Sequence, residues 1–116
     1  MELKINGKDY KLKFGLKFIN LLDNLYSQEI SSLKFGMGVE MMNVYLNMKH
    51  PQVLVNIIKA GTSHLGSKPS ENEIEGYLEE LAIEGKLNDL FESVQKEVKQ
   101  APFLKHKIEQ IEKVQE

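Results

Sequence analysis

The pair Asn6-Gly7 restricts the fold of this chain more than any other feature of its sequence. It lies between two short segments in which polar and apolar residues alternate, residues 2–5 and 8–14. A two-residue hairpin turn requires positive φ at both central positions, and Asn-Gly adopts that conformation at low steric cost. The sequence therefore predicts an N-terminal β-hairpin over residues 2–14.

This hairpin needs an apolar partner, because an isolated two-stranded hairpin is only marginally stable in water. Leu3 and Ile5 are predicted to share one face with Tyr10, Leu12 and Phe14. The following segment, residues 15–26, has apolar positions at helical spacing and is predicted to be that partner. These positions are Phe18, Ile19, Leu21, Leu22, Leu25 and Tyr26.

The rest of the chain is predicted to be helical, apart from a polar connection over residues 27–35 and a loop at residues 61–69. Ser70 and Glu73 have the spacing of a capping box, which marks a helix start. We expect an α+β, mainly helical fold, with the N-terminal hairpin followed by about five α-helices. An all-helical fold is the alternative if the hairpin pairs between subunits.

A length of 116 residues favours a single domain, 1–116. We divide it into the hairpin, residues 2–14, a helical body, residues 15–101, and a charged C-terminal helix, residues 103–116. The last helix has few apolar positions. It could dock on the body, fray or bind a partner.

Composition excludes several classes of protein. The net charge is −2 and all 15 basic residues are lysine, which argues against nucleic acid as a partner, because arginine is preferred for bidentate phosphate and base contacts. The absence of cysteine removes disulfides and thiolate chemistry. Apolar runs such as residues 53–55 are too short to span a membrane, and the charged start does not resemble a signal peptide.

No catalytic or metal-binding pattern is present in the sequence. His50, His64 and His106 lie far apart, and none belongs to a His-Glu-x-x-His motif. Gly36-Met37-Gly38 is superficially similar to a phosphate-binding loop, but the third glycine of the dinucleotide fingerprint is replaced by Met41. We therefore expect a protein that is not an enzyme and that uses no cofactor and no metal.

Four of the five methionines lie within residues 37–48. Methionine is flexible and polarisable, and adaptable binding surfaces often use it. Part of this helix is therefore a candidate site for self-association or for binding a partner. The alternative is that these side chains fill the core. The candidate residues are Met37, Met41, Met42, Tyr45 and Met48.

Charge is segregated along the chain. Residues 70–85 contain six glutamates and no lysine, whereas residues 1–69 contain nine lysines and five acidic residues. Glutamates near a helix N-terminus are favoured by the helix dipole, so a solvated helix face explains this pattern. Attraction between the acidic helix of one copy and a lysine-rich surface of the next is the alternative.

The order of these segments resembles that of the tail assembly chaperones of long-tailed phages and prophages of low-GC Gram-positive bacteria. The segments are INGKDYKLKFGLKFINLLD, GMGVEM, LVNIIKAGT and KPSENEIEGYLEE, followed by a charged helical C-terminus. The resemblance covers nearly the whole chain. It rests on the order of the segments, because none of them is a chemical signature.

The resemblance implies a role in phage tail morphogenesis. Members of that family coat the tape measure protein before the tail tube polymerises around it, and they are not kept in the mature virion. The expected partners are thus the tape measure protein, further copies of this chain as a homo-oligomer and, through a longer frameshifted form, the tail tube protein. The expected location is the host bacterial cytoplasm, with neither nucleic acid nor membrane as a partner.

Other functions remain open at this point. A small cytoplasmic helical interaction or regulatory module of a prophage is the main alternative. A nucleic-acid-binding regulator and a small enzyme have less support, because the charge balance and the motifs do not favour them.

Overall fold

The computed structural model of the protein describes residues 1–30 and 33–115. Within them, six helices follow an N-terminal hairpin, which confirms the α+β, mainly helical fold class, with one helix more than expected. The elements are β1 (Glu2–Ile5), β2 (Lys8–Lys11), α1 (Leu16–Leu25), β3 (Ser27–Ile30), β4 (Leu33–Gly36), α2 (Gly38–Asn47), α3 (Pro51–Gly61), α4 (Glu71–Ile83), α5 (Leu87–Gln100) and α6 (Pro102–Gln115).

The N-terminal hairpin forms as the Asn-Gly pair predicts. Ile5 pairs with Lys8 across the turn. Asn6 and Gly7 have φ values of 52° and 80°, so both lie in the left-handed region that this turn requires. Leu3, Ile5, Tyr10 and Leu12 are buried, as the period of two predicts.

The second strand ends at Lys11, earlier than the predicted end at residue 14. The reason is that the chain turns away from β1 after Leu12, whose N–H still donates to the Met1 carbonyl at 2.8 Å. The Lys13 N–H donates instead to the Gly61 carbonyl at 2.9 Å. The chain after β2 therefore runs along the C-terminal end of α3.

A second hairpin, β3 and β4, corrects the prediction of a polar connection over residues 27–35. Its antiparallel register pairs Ser27 with Gly36 and Ile30 with Leu33. Its ends meet at the junction of α1 and α2, where the Met37 N–H donates to the Tyr26 carbonyl at 3.3 Å. Ser31 and Ser32, which belong to the predicted connection, fall outside the described residues.

Helix α3 lies at the centre of the core and contacts α1, α2 and α4. Pro51 occupies its first turn, where the missing N–H removes no helical hydrogen bond. A Cβ atom on Gly61 would lie 2.9 Å from Cγ of Leu12, so the absence of a side chain allows close packing against the first hairpin. The buried residues of α3 are Val53, Leu54, Val55, Ile57, Ile58, Ala60 and Gly61.

Both ends of α4 are capped by local sequence signals. The predicted capping box is confirmed: the Glu73 N–H donates to Ser70 Oγ at 3.1 Å, and the Ser70 N–H donates to Glu73 Oε1 at 3.0 Å. Asn6 Nδ2 also donates to Glu73 Oε2 at 2.9 Å, which links the hairpin turn to α4. Hydrogen bonds from Asn6 and Ser70 lower the pKa of the Glu73 carboxyl.

At the C-terminus of α4, Gly85 has φ 73° and the Lys86 N–H donates to the Leu81 carbonyl at 2.8 Å, a Schellman motif.

Replacing Gly76, in the middle of α4, with alanine is expected to raise the free energy of unfolding by about 0.5–1 kcal/mol. Apart from the adjacent residues and the backbone of α4 itself, no heavy atom lies within 4 Å of the position that the new Cβ would occupy, so the substitution removes chain entropy without a clash. Urea denaturation measures the change. Gly85→Ala is the control and is expected to lower the free energy of unfolding, because a φ of +73° is strained for alanine. A loss of stability in Gly76→Ala would contradict this description of α4.

The described part of the C-terminal helix docks on the body, the first of the three alternatives left by the sequence. Leu104 and Ile108 are buried, and α6 contacts both α2 and α5. Lys107 Nζ lies 2.9 Å from Glu40 Oε1 of α2. The spacing of four between the two apolar residues is what places them on one face.

Candidate partner-binding site

Three residues of the predicted site, Met41, Met42 and Tyr45, lie within helix α2, and Met37 and Met48 are its N-cap and C-cap residues. Its N-terminus lies directly against α1: a Cβ atom on Gly38 would be 2.5 Å from the backbone N of Asp23 and 2.5 Å from the carbonyl carbon of Leu22. Packing rather than backbone conformation explains the glycine at position 38, because its φ is not positive and the absence of a side chain is what allows the two helices to touch.

The side chain of Asp23 caps α2 from the neighbouring helix. Its Oδ1 accepts a hydrogen bond from the Gly38 N–H at 2.8 Å. A carboxylate at a helix N-terminus is favoured both by the free N–H groups and by the helix dipole. The first turn of α2 is thus fixed by a contact that is distant in sequence.

The C-terminus of α2 is fixed by a tight turn into α3. Lys49 adopts φ 54°, and the His50 N–H donates to the Tyr45 carbonyl at 3.0 Å, the pattern of a Schellman motif with lysine in place of glycine. His50 then caps α3, because its Nδ1 accepts from the Gln52 N–H at 3.2 Å. Both ends of α2 are therefore held in place.

The structure separates the five candidate residues by exposure. Met42 is fully buried, at 0% exposure, so its side chain is part of the core. Met37, Met41 and Tyr45 are half-buried. Met48 is 66% exposed. The five side chains therefore do not form one accessible stripe, although their role in binding stays a prediction.

Tyr45 is half-buried because it packs in an aromatic cluster. Its ring centroid lies 6.0 Å from that of Tyr26 and 5.3 Å from that of His50. The Tyr26 hydroxyl accepts a hydrogen bond from Asn56 Nδ2 at 2.6 Å. Burial raises the pKa of Tyr26, with the Asn56 hydrogen bond acting in the opposite direction. The cluster joins α1, α2 and α3 and leaves Tyr45 partly exposed.

An accessible apolar face on α2 is formed by Met41, Val44, Tyr45 and Met48, which we name the α2 band. Met41, Val44 and Met48 are spaced by three and four residues and so share one face. Val44 is 46% exposed and was not among the predicted site residues. The same helical spacing that grouped Met41 with Met48 could have identified it. The buried residues Val39, Met42 and Leu46 lie on the opposite face.

The polar contacts from α2 and its C-terminal turn to α5 and α6 involve other positions. Glu40 pairs with Lys107 of α6. Gln95 Nε2 of α5 donates to the Leu46 carbonyl at 3.3 Å, and Lys49 Nζ donates to Asn88 Oδ1. None of these hydrogen bonds and salt bridges involves a side chain of the α2 band.

Residues 1–30 and 33–115 contain no group of three or more His, Cys, Asp or Glu side chains that could hold a metal ion. No helix within these ranges has the length and apolarity needed to cross a bilayer.

Comparison with known proteins gives a family for this chain. Comparisons with curated proteins and with solved structures gave no match. The sequence model of a family described as "Phage tail assembly chaperone protein, TAC" matches residues 2–113, which is nearly the whole chain and agrees with the resemblance noted from the sequence. The chain therefore belongs to the phage tail assembly chaperone family.

Proposed function

We propose that many copies of this chain coat the tape measure protein during tail morphogenesis and bind it through the α2 band without catalysis. The complex forms in the host bacterial cytoplasm, and the chain is released before the virion matures. The family match over residues 2–113 supports a role in tail assembly. The observation that carries the binding site is the exposed apolar face of α2, where Val44 and Met48 are 46% and 66% exposed.

The α2 band has the properties that a reversible client site needs. Methionine adapts to different apolar partners, because its side chain is flexible and polarisable. The band consists of few side chains on a helix with fixed ends, so it suits the apolar face of an amphipathic client helix. One such contact is weak, which permits release, and many copies on one long client supply the overall strength.

Two further partners belong to the proposal. Copies of this chain associate with one another on the client. A longer form of the chain, produced by frameshifting, recruits the tail tube protein. These partners rest on the family alone, whereas the α2 band rests on the exposure of named side chains.

Co-expression of this chain with the tape measure protein tests the binding site. The double variant Val44→Lys/Met48→Lys is expected to reduce the amount of co-purified client at least about fivefold, because it replaces two exposed apolar contacts with charges. Client solubility and the ratio of the two chains after affinity purification are the measurements.

Ser93→Lys is the matched control, since it adds a lysine to an exposed position of α5 outside the α2 band. The control is expected to keep the client soluble. Circular dichroism of each variant shows that the fold is retained. Undiminished co-purification with the double variant, in a folded state, would refute the α2 band as the client site.

A further inference from the structure

An apolar groove lies where the segment after β2 meets the start of α1 and the start of α6. It encloses about 330 Å³. Leu16 and Phe103 form its open side, with 58% and 52% of their surfaces exposed. Both are large apolar side chains that lie outside the buried core. The residues that define this groove are Lys13, Leu16, Lys17, Phe18, His64 and Phe103.

The rim of the groove is basic. Lys13 and Lys17 are both exposed, and among the described residues neither forms a salt bridge with a carboxylate. An occupant that fits this groove needs an apolar side chain for its floor and acidic groups for its rim. Such charge complementarity favours one orientation of a partner over others.

The C-terminal turn of α4 has the apolar side chain and the acidic groups that this groove requires. Ile83 is 79% exposed, the highest value among the large apolar side chains of the described residues. Glu79 and Glu80 precede it by four and three residues, so they lie on the same helix face. We name this turn the α4 knob. Lys86 follows it but forms a salt bridge with Glu84, at 3.4 Å.

The knob and the groove lie at opposite ends of α5. Ile83 comes shortly before Leu87, where α5 begins, and Phe103 comes shortly after Gln100, where it ends. A helix of 14 residues is about 21 Å long. The knob therefore cannot reach the groove of its own chain, but it can reach that of another copy.

We propose that the α4 knob of one copy inserts Ile83 into the groove of the next copy, with Glu79 and Glu80 facing Lys13 and Lys17. The two surfaces are different, so the contact is heterologous. Every added copy leaves one knob and one groove free, and association continues into a ring or an open chain. This inference rests on the self-association included in the proposed function and assigns its surface.

The α2 band takes no part in this contact, so client binding and self-association use separate surfaces. This division matches the needs of a coat, in which each copy contacts its neighbours and the client at once. It also means that the two properties can be tested separately.

Two variants disrupt one surface each. Ile83→Lys places a cation against the basic rim, and lysine is favoured at the C-terminus of a helix, so the fold is expected to be retained. Leu16→Gln/Phe103→Gln removes the two exposed apolar residues of the groove without adding charge. Leu25→Lys is the matched control, because Leu25 is 42% exposed at the end of α1 and belongs to neither surface.

Sedimentation velocity over a concentration series is the measurement. The wild type and Leu25→Lys are expected to grow beyond a dimer as concentration rises. Ile83→Lys and the groove variant are each expected to need at least about tenfold higher concentration to associate. An equimolar mixture of the two is expected to form a 1:1 heterodimer and nothing larger, because one intact knob meets one intact groove.

Three results would overturn the inference: a monomeric wild type at all concentrations, unchanged association of either variant alone, or a mixture that stays monomeric. Co-purification with the tape measure protein separates this failure from failure of the proposed function. If the client still co-purifies while the knob and groove variants associate like the wild type, client binding stands and only the assigned self-association surface is wrong.

Discussion

Gly38→Ala is expected to lower the free energy of unfolding by about 2–4 kcal/mol, a large part of the stability of a domain of this size. The new Cβ would lie 2.5 Å from backbone atoms of Leu22 and Asp23, and backbone cannot move aside as a flexible side chain can. Helices α1 and α2 would have to separate, which also weakens the 2.8 Å hydrogen bond from the Gly38 N–H to Asp23. Thermal unfolding followed by circular dichroism should show a fall in Tm of roughly 10 °C.

Gly66→Ala is the matched control for this prediction. Beyond its two chain neighbours, Gly66 has no heavy atom within 4 Å of its Cβ position, and its φ is not positive, so its substitution should change stability by less than about 0.5 kcal/mol. If Gly38→Ala were as stable as Gly66→Ala, the close contact between α1 and α2 would be incorrect.

Met42→Lys is expected to remove a large part of the free energy of unfolding, whereas Met48→Lys is expected to change it by less than about 0.5 kcal/mol. Met42 is 0% exposed, and a lysine there would bury a charge with no partner, at a cost of at least about 4 kcal/mol. Met48 is 66% exposed, so a lysine at that position remains in water. Urea denaturation of both variants measures the difference.

Met42→Leu isolates the effect of charge, because it nearly conserves volume and should cost less than about 1.5 kcal/mol. A folded Met42→Lys with the stability of the wild type would contradict the placement of this side chain in the core. Equal destabilisation by the two lysine variants would contradict the exposure of the α2 band.

Local signals in the sequence predicted the elements whose formation depends on neighbouring residues. The Asn6-Gly7 turn and the Ser70–Glu73 capping box are examples, since each is a contact within a few residues. The second hairpin was not predicted. Residues 27–36 contain no proline and no Asn-Gly pair, and their one glycine lies at the end, so the usual signals of a hairpin are missing.

Contacts between distant segments could not be predicted from the sequence. Asp23 and Gly38 are separated by 15 positions, and nothing local indicates that one caps the helix of the other. The same holds for Gly61, whose Cα faces Leu12 of the first hairpin. In both cases the glycine matters because another backbone or side chain approaches, which depends on the tertiary fold.

The candidate site was predicted in part, for a physical reason. Helical spacing shows which residues of α2 share a face, but it does not show how the helix is rotated relative to the core. Both Met42 and Met48 fit an apolar stripe, yet one is buried and the other exposed. Val44 was missed although its spacing of three from Met41 and four from Met48 places it on their face.

The mass of the complex between this chain and the tape measure protein tests the central claim most directly. After co-expression and purification, light scattering coupled to size-exclusion chromatography gives the number of copies of this chain on each client. The proposed function predicts a soluble complex with many copies of this chain per client. A client that stays insoluble while this chain elutes alone as a monomer would contradict it.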